Sequence, residues 1–222
     1  MIVAAVPVKD LVNAKQRLMR VLDARERREL THAMLVDVLR ALGGAGLDRI
    51  WVVTRDPEAT ALARAFGAEP LAEAENRGHT DAVAIAQAEA VRVGADAFLT
   101  IPGDVPCVTA AEIRAVVGAR PAPPAAVFTP SRSGLGTNAV LLAPPSAMRL
   151  RFGEPSFDSH LSAARALRLQ TRVVPLPGLG LDVDDREDLA ALLMAGAGTR
   201  SAQLVAGWRI LERPAVARAA LR

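Results

Sequence analysis

The chain has 222 residues, 51% of them apolar and 23% charged, with a formal net charge of +3. That length and apolar fraction suffice for one α/β domain with a full core and exclude a disordered chain. Aromatic residues make up only 3% and tyrosine is absent, so aliphatics pack the core, and single-strand nucleic-acid binding lacks its stacking platforms.

In chain order, residues 2–7 form an apolar segment ended by Pro7 and read as a buried strand. The polar, basic loop Lys9-Asp10-Leu11-Val12-Asn13-Ala14-Lys15-Gln16-Arg17-Leu18 follows. Leu30, Met34, Leu35, Val38 and Leu42 recur at helical spacing and predict a helix over 25–42, stopped by Gly43 and Gly44. Residues 50–54 read as a second strand, and a helix over 57–66 carries Pro57 in its first turn and Gly67 past its end. A short strand at 69–71, a polar loop over 72–79 and a helix over 80–93 with Thr80 as its N-cap come next. Residues 97–101 form the strand leading into Gly103-Asp104, and a helix covers 110–118. This alternation implies a mostly parallel sheet covered by helices. Past Pro121, Pro123 and Pro124, strands over 125–129 and 137–143 flank the loop 131–136. A loop and helix occupy 152–168, a strand 171–175 and a helix 186–195. From about 200 a tail with helical periodicity is suited to packing on the body or on a partner. There is no internal repeat, and a single domain over 1–222 is expected.

The positive balance fits either an arginine-rich solvated surface or a cleft that attracts nucleotide-like polyanions. The lone cysteine, Cys107, excludes an internal disulfide and a cysteine-built zinc site, and reads as a small packing residue. No charged segment precedes the first apolar stretch and no apolar run reaches the length of a membrane span. The expectation is a cytoplasmic protein with no signal peptide and no membrane partner.

Three carboxylates fall at predicted strand ends: Asp104 in Ile101-Pro102-Gly103-Asp104-Val105-Pro106, and Asp182 and Asp184 in Leu181-Asp182-Val183-Asp184-Asp185. Ligands of open α/β sheets bind outside the carboxyl ends of the strands. Carboxylates gathered there suit a hard divalent cation such as magnesium, which takes oxygen ligands and bridges to phosphates. Asp104 also reads as a turn or cap residue, and Asp185 is read as the cap of the following helix. In an extended segment Asp182 and Asp184 point to one side, and Gly103 lets the backbone approach a ligand closely. Lys9, Lys15 and Arg17 follow the first strand at that same end of the sheet. Cations there hold a triphosphate and stabilise a leaving pyrophosphate; a solvated loop with scattered charges fits the spacing equally well. Neither a Walker A pattern nor G-x-G-x-x-G is present, which disfavours P-loop and dinucleotide-binding folds.

The segments Gly134-Leu135-Gly136-Thr137-Asn138 and Phe152-Gly153-Glu154-Pro155-Ser156-Phe157-Asp158-Ser159-His160 offer free backbone donors, hydroxyls and a helix start. They suit the phosphate or carboxylate of a small acid, or simply a β-turn and an N-cap. His160, four residues after Ser156, reads as a hydrogen-bonded structural histidine rather than a base or metal ligand. His79 and His32 receive no role, and no Ser-His-Asp ordering supports hydrolysis.

Pro7-Val8-Lys9 with Ala14-Lys15-Gln16-Arg17-Leu18, Gly103-Asp104-Val105-Pro106, Gly136-Thr137-Asn138-Ala139, the 152–161 segment, and Leu181-Asp182-Val183-Asp184 with Glu187-Asp188-Leu189 occur in that order. In combination they resemble the guanylyltransferases of coenzyme F420 biosynthesis, the 2-phospho-L-lactate or phosphoenolpyruvate guanylyltransferase family, over residues 3 to about 193. The resemblance implies a Rossmann-like, GT-A type nucleotidyltransferase fold, a three-layer sandwich with a mixed, mostly parallel sheet. It implies transfer of GMP from GTP to phosphoenolpyruvate, 2-phospho-L-lactate or 3-phospho-D-glycerate, with release of pyrophosphate and a need for Mg2+. On the matched positions it implies Asp104, Asp182 and Asp184 as metal-binding carboxylates, catalytic together with Lys15. Thr137, Gly153 and Ser156 become acceptor contacts, and Lys9, Lys15 and Arg17 triphosphate contacts. Many members carry a Leu-Asn pair at the start of the helix after the third strand. Here the stretch reads Gly78-His79-Thr80-Asp81, so guanine recognition does not follow from this match. The implied partners are GTP and the small acid, with no nucleic acid, and the apolar tail leaves a homodimer open. The alternatives are a nucleotidyltransferase acting on a sugar phosphate or molybdopterin, disfavoured by the missing Gly-rich loop after the first strand, and a non-catalytic GTP-binding protein.

Overall fold

The computed structural model describes residues 1–9, 11, 15–75, 77–153 and 155–210. Through them run β1 (Ile2–Pro7), a 3-10 turn (Gln16–Arg20), α1 (Ala24–Gly43), β2 (Arg49–Thr54), α2 (Pro57–Ala65), β3 (Glu69–Ala72) and α3 (His79–Arg92). Then come β4 (Ala97–Thr100), α4 (Ala110–Gly118), β5 (Ala125–Pro130), β6 (Thr137–Ala143), a second 3-10 turn (Pro145–Ala147) and α5 (Phe157–Ala166). The chain continues through β7 (Gln170–Val173), α6 (Pro177–Gly180), α7 (Arg186–Ala195) and α8 (Arg200–Gly207).

Local chemistry explains most boundaries. Asp23 and Glu26 close a reciprocal capping box at the start of α1, and Thr109 and Glu112 do the same for α4. Asp185 caps α7 as expected, its carboxylate accepting from Glu187 N and Asp188 N. One expected cap is wrong. Helix α3 starts at His79, after Gly78 at φ 103°, and Thr80 lies inside it. Glycine takes that positive φ without steric cost, so the loop ends one residue earlier. The Thr80 hydroxyl instead accepts from Phe152 N at 2.9 Å.

Among the described residues the sheet has seven strands in the order β3-β2-β1-β4-β6-β5-β7. Only β6 runs against its neighbours β4 and β5; the remaining pairs are parallel. The chain builds outward from β1 through β2 to β3, then crosses back to place β4 on the other side of β1. That reversal is a topological switch point, where adjacent loops leave in opposite directions and open a crevice at the carboxyl ends. On one face α1, α2, α4 and α6 pack around Leu35, Leu39, Ala59, Ile113 and Leu179. On the other, α3 and α5 pack around Val83, Ala86, Phe98, Phe128 and Ala164. Strands covered on both faces are almost wholly apolar, as β1 is and as β4 is apart from its last residue, Thr100.

A third cluster joins Leu18, Leu30, Met34, Val183, Leu189, Leu192, Ala202 and Val205. It fastens the turn after Lys15 and both C-terminal helices to α1. Buried Asp37 on α1 accepts from Arg200 N and Ser201 N at 2.9 Å each and from Ser201 Oγ at 2.6 Å. A carboxylate there satisfies and complements the N-terminus of α8. The tail therefore packs on the body as far as Gly207; its residues after 210 lie outside the described residues. No single helix among the described residues is long and apolar enough to cross a membrane. The bent pair α7 and α8 passes that test by length and composition, but its apolar side is spent in this third cluster.

Two local features position the site. Thr129 pairs with Ala139 while Pro130 pairs with Thr137, so Asn138 is an extra residue, a β-bulge. A bulge exchanges the faces to which the residues before it point. Gly178, in α6, is held against α4: a Cβ there would lie 2.3 Å from Cys107 O, and Gly178 N donates to Glu112 Oε1 at 2.8 Å. Only glycine fits, and this contact anchors the strap that carries Asp182 and Asp184.

Candidate nucleotide and acceptor site

A cleft of about 480 Å³ opens at the switch point, lined by Pro7, Val8 and Lys9 after β1, Pro102, Gly103 and Asp104 after β4, and Lys15, His79 and Asp184. A Cβ on Gly103 would sit 3.5 Å from Val6 and Val8 side chains, an ordinary contact. The fold itself therefore leaves room for a side chain at 103.

Asp104 and Asp184 are brought together by Lys15. Its ammonium lies 2.6 Å from Asp104 Oδ2 and 2.7 Å from Asp184 Oδ1, and its side chain is 6% exposed. Burial alone would lower the lysine pKa; the two carboxylates outweigh it and raise the value. Burial would likewise raise that of Asp104, but the charge and hydrogen bond of Lys15 hold it below the ordinary value. Lys15 adopts a left-handed backbone, φ 57° and ψ 45°, which costs a non-glycine residue about 1–2 kcal/mol. That conformation aims its side chain inward from a turn locked by Leu18. Asp184 is fixed from behind: its N–H donates to Asp188 Oδ2 at 2.9 Å, and Asp188 Oδ1 accepts from Arg132 Nη2 at 2.6 Å. Val183 N donates to Asp104 O at 3.1 Å, tying the strap to the end of β4.

Asp182 stands beside this pair. Its Oδ1 accepts from Asn138 Nδ2 at 3.0 Å, and the same amide donates to Leu179 O at 2.9 Å. Burial, together with the negative charges of Asp104 and Asp184, raises the Asp182 pKa despite the Asn138 hydrogen bond. The preassembled three-carboxylate site expected from the sequence is not found. No group of three His, Cys, Asp or Glu side chains among the described residues is disposed to hold a metal ion; Lys15 lies between Asp104 and Asp184, and Asn138 donates to Asp182. The donor chemistry does fit a hard cation: all three offer oxygens, and Asp104 Oδ1 is buried with no hydrogen-bond partner.

Lys9 lines the cleft, as expected for a triphosphate contact. Arg17 is peripheral, 73% exposed and 4.0 Å from Asp184. Ala14 and Glu154, parts of two matched segments, lie outside the described residues.

On the α3 and α5 side of the sheet, Thr137, Ser156 and His160 converge. His160 Nδ1 is 3.0 Å from Thr137 Oγ1, Ser156 Oγ donates to Thr137 Oγ1 at 3.2 Å, and Arg151 N donates to His160 Nε2 at 3.1 Å. The hydrogen-bonded structural reading of His160 holds. Burial pushes its pKa down to about 4, so the ring is neutral near pH 7. Gly153 takes φ 131°, a conformation suited to glycine.

The free backbone donors expected in both segments are not free. Gly136 N donates to Ser131 Oγ, Leu135 N to Ser133 Oγ and Gly134 N to Ser131 O. Ser156 N and Phe157 N, at the start of α5, both donate to Leu135 O at 3.0 Å. The first loop closes on its own serines, and its Leu135 carbonyl takes the two amides that open α5, while the Thr137 and Ser156 hydroxyls stand side by side.

Two residues were missed. Asn138 lay in a matched segment without a role, and only the bulge turns it toward Asp182. His79, read as isolated, lines the cleft; its ring meets Phe152 edge-on at 4.5 Å, and Phe152 meets His160 at 5.1 Å. Its pKa is pushed down to about 4 by burial. Chain distance hid both contacts.

Residues 2–217 match the family model described as "Guanylyl transferase CofC like". The chain is 42% identical over 193 residues to a phosphoenolpyruvate guanylyltransferase of Rubrobacter xylanophilus, covering 87% of this chain and 94% of that one. It is 33% identical over 211 residues to a 2-phospho-L-lactate guanylyltransferase of Methanothermobacter thermautotrophicus, covering 95% and 92%. Among solved structures, a protein named as a nucleotide-diphospho-sugar transferase from Desulfovibrio desulfuricans G20 superposes with a TM-score of 0.76 at 16% identity, covering 95% and 96%. A cytidylyltransferase from Leptospira borgpetersenii gives 0.59 at 10% identity, covering 96% and 97%. These two likenesses bear on the fold alone, and it is a nucleotidyltransferase fold.

Proposed function

Because the chain belongs to the CofC-like guanylyl transferase family and is a nucleotidyltransferase, we propose that it transfers GMP from GTP to phosphoenolpyruvate and releases pyrophosphate, within coenzyme F420 biosynthesis in the cytoplasm. The observation that carries this reading is the buried Lys15 ammonium between Asp104 and Asp184 in a switch-point cleft. A cation so held, in a cleft that Lys9 also lines, is suited to a chain of phosphates. Phosphoenolpyruvate is preferred as the acceptor because the relatives at 42% and 39% identity carry its name, while the 2-phospho-L-lactate name goes with 33%.

The reaction is a single displacement. A phosphate oxygen of the acid attacks the α-phosphorus of GTP. The new P–O bond forms as the bond to the bridging oxygen breaks, and pyrophosphate leaves with that electron pair. The acid's phosphate is already an anion, so neither a general base nor a protein nucleophile is required, and the chain contributes position and charge. Lys15, kept protonated by its two carboxylates, balances phosphate charge, with Lys9 in the same cleft and Arg17 at the rim. Thr137, Gly153 and Ser156 hold the acid. Asp104, Asp182 and Asp184 would hold a magnesium ion, which when bound neutralises charge on the phosphates. No nucleic acid or membrane takes part.

The test is pyrophosphate release from GTP with phosphoenolpyruvate, 2-phospho-L-lactate and 3-phospho-D-glycerate in parallel, with mass detection of the GDP-linked product. Phosphoenolpyruvate is expected to give the highest kcat/KM. Binding of GTP without pyrophosphate from any acid would refute the enzymatic reading.

A further inference from the structure

The hydroxyl of Thr137 sits at the junction of two hydrogen bonds whose directions the surrounding groups dictate. Arg151 N–H donates to His160 Nε2 at 3.1 Å, so that nitrogen carries no proton. A neutral imidazole carries one proton, which is then on Nδ1. Nδ1–H accordingly donates to Thr137 Oγ1 across 3.0 Å. Ser156 Oγ–H donates to the same oxygen across 3.2 Å. A hydroxyl oxygen has two lone pairs, and both are now taken. Its one hydrogen must go to a further acceptor, and among the described residues none is in hydrogen-bond contact with it. Thr137 is 7% exposed, so the unmet donor is costly unless a ligand meets it.

We infer that His160 is a positioning residue: with Ser156 it converts the Thr137 hydroxyl from an ambivalent group into an obligatory donor, aimed at an anionic oxygen of the phosphorylated acid. The inference rests on the acceptor reading above and deepens it by specifying polarity. A carboxylate or phosphate oxygen accepts at this point, and a ligand that presents a hydroxyl donor there is refused. Burial keeps His160 neutral near pH 7, so that one ring nitrogen can accept while the other donates. The edge-on contact of Phe152 on the ring, at 5.1 Å, holds its plane. The carbonyl of Leu135 takes the amides of Ser156 and Phe157, so these two are not available beside the Thr137 hydroxyl.

Nitrogen-15 NMR of the full chain near pH 7 is expected to find His160 protonated on Nδ1 and bare on Nε2, the tautomer that is the minor one for free histidine. An Nε2–H tautomer would overturn the inference. In steady-state transfer, His160→Leu is expected to raise KM for phosphoenolpyruvate about 10- to 100-fold, the range for a hydrogen bond to a charged group, with KM for GTP within about 2-fold on the same principle. His160→Asn, whose amide nitrogen reproduces the Nδ1 donor, is expected to recover most of that loss. In a Thr137→Val background, His160→Leu should add nothing further. Equal losses toward both substrates, or equal losses in Leu and Asn variants that melt like the parent, would show a merely structural histidine. The tautomer and calorimetric binding of phosphoenolpyruvate need no turnover. Absence of transfer would therefore count against the proposed function, and those two measurements would still judge the hydroxyl relay.

Discussion

At the switch point, Asp104, Lys15 and Asp184 are held by opposite charge, whereas beside the α5 helix Thr137, Ser156 and His160 are held by neutral hydrogen bonds of fixed direction. The two regions solve one problem, polar groups kept in place beside an apolar core, by different physics. The charged centre tolerates burial because each ion has a counter-ion close by. It can exchange one cation for another, since carboxylates respond to charge and little to angle. The neutral network has no net charge to offer; what it offers is orientation, and a member can be exchanged only for a group that keeps the donor in place. One region suits phosphates and a metal ion, the other the selection of a small acid.

The sharpest way to break this contrast is Asp104→Ala. It removes a charge-organising group from the centre and is expected to lower transfer by about 10³-fold, the scale seen when active-site charge stabilisation is lost. Circular dichroism should be unchanged, since the residue follows a strand and closes no core. Near-normal turnover would sink the assignment of this cleft to chemistry. Asn138→Ala acts between the regions. It frees Asp182 from its amide partner and should weaken magnesium activation about 10- to 100-fold, as loss of an orienting partner does. A magnesium titration of initial rate reads this, and an unaltered midpoint would mean that Asn138 supports only Leu179.

pH separates the buried histidines from Asp104 by window, not by sign. His79 and His160 have folded values near 4 against an ordinary 6.5. The unfolded chain therefore binds protons first, and stability falls as pH drops from about 6.5 toward 4. Asp104 is depressed below its ordinary 3.8, so its stabilisation is present above that value and is lost only at lower pH, as it falls through the folded value. Urea midpoints between pH 7 and 4 should decline, and His160→Asn should flatten the decline. A parent midpoint that stays level would remove the case for buried neutral histidines. The smallest effect is expected from Arg17→Ala, within about 3-fold in kcat/KM, because an exposed pair is worth under about 1 kcal/mol; a larger loss would extend the charged centre to the rim.

Much of the architecture could be read from local pattern. The apolar run 2–7, the helical spacing of Leu30, Met34, Val38 and Leu42, and the capping residue Asp185 state their structure within a few neighbours, because strand burial, helix periodicity and caps are short-range effects. Asp104 was legible for the same reason: it ends a strand, and strand ends face the crevice. The rest depended on contacts between distant segments. Thr80 looked like a cap until Phe152 claimed its hydroxyl, and the loop amides looked available until Ser131, Ser133 and Leu135 took them.

Asp104, Asp182, Asp184 and Lys15 were marked by residue type and by their place beside apolar strands, since ionised side chains beside a core are informative wherever the chain runs. Their mutual arrangement was not: a lysine placed between two aspartates that lie 89 and 169 residues away exists only after the chain crosses the sheet. The direction of the Thr137 hydroxyl was legible nowhere in the sequence. It depends on a bulge at Asn138, on the backbone N–H of Arg151 and on the proton of His160. A hydrogen bond acquires direction only when donor and acceptor have been brought within 3 Å or so by the fold.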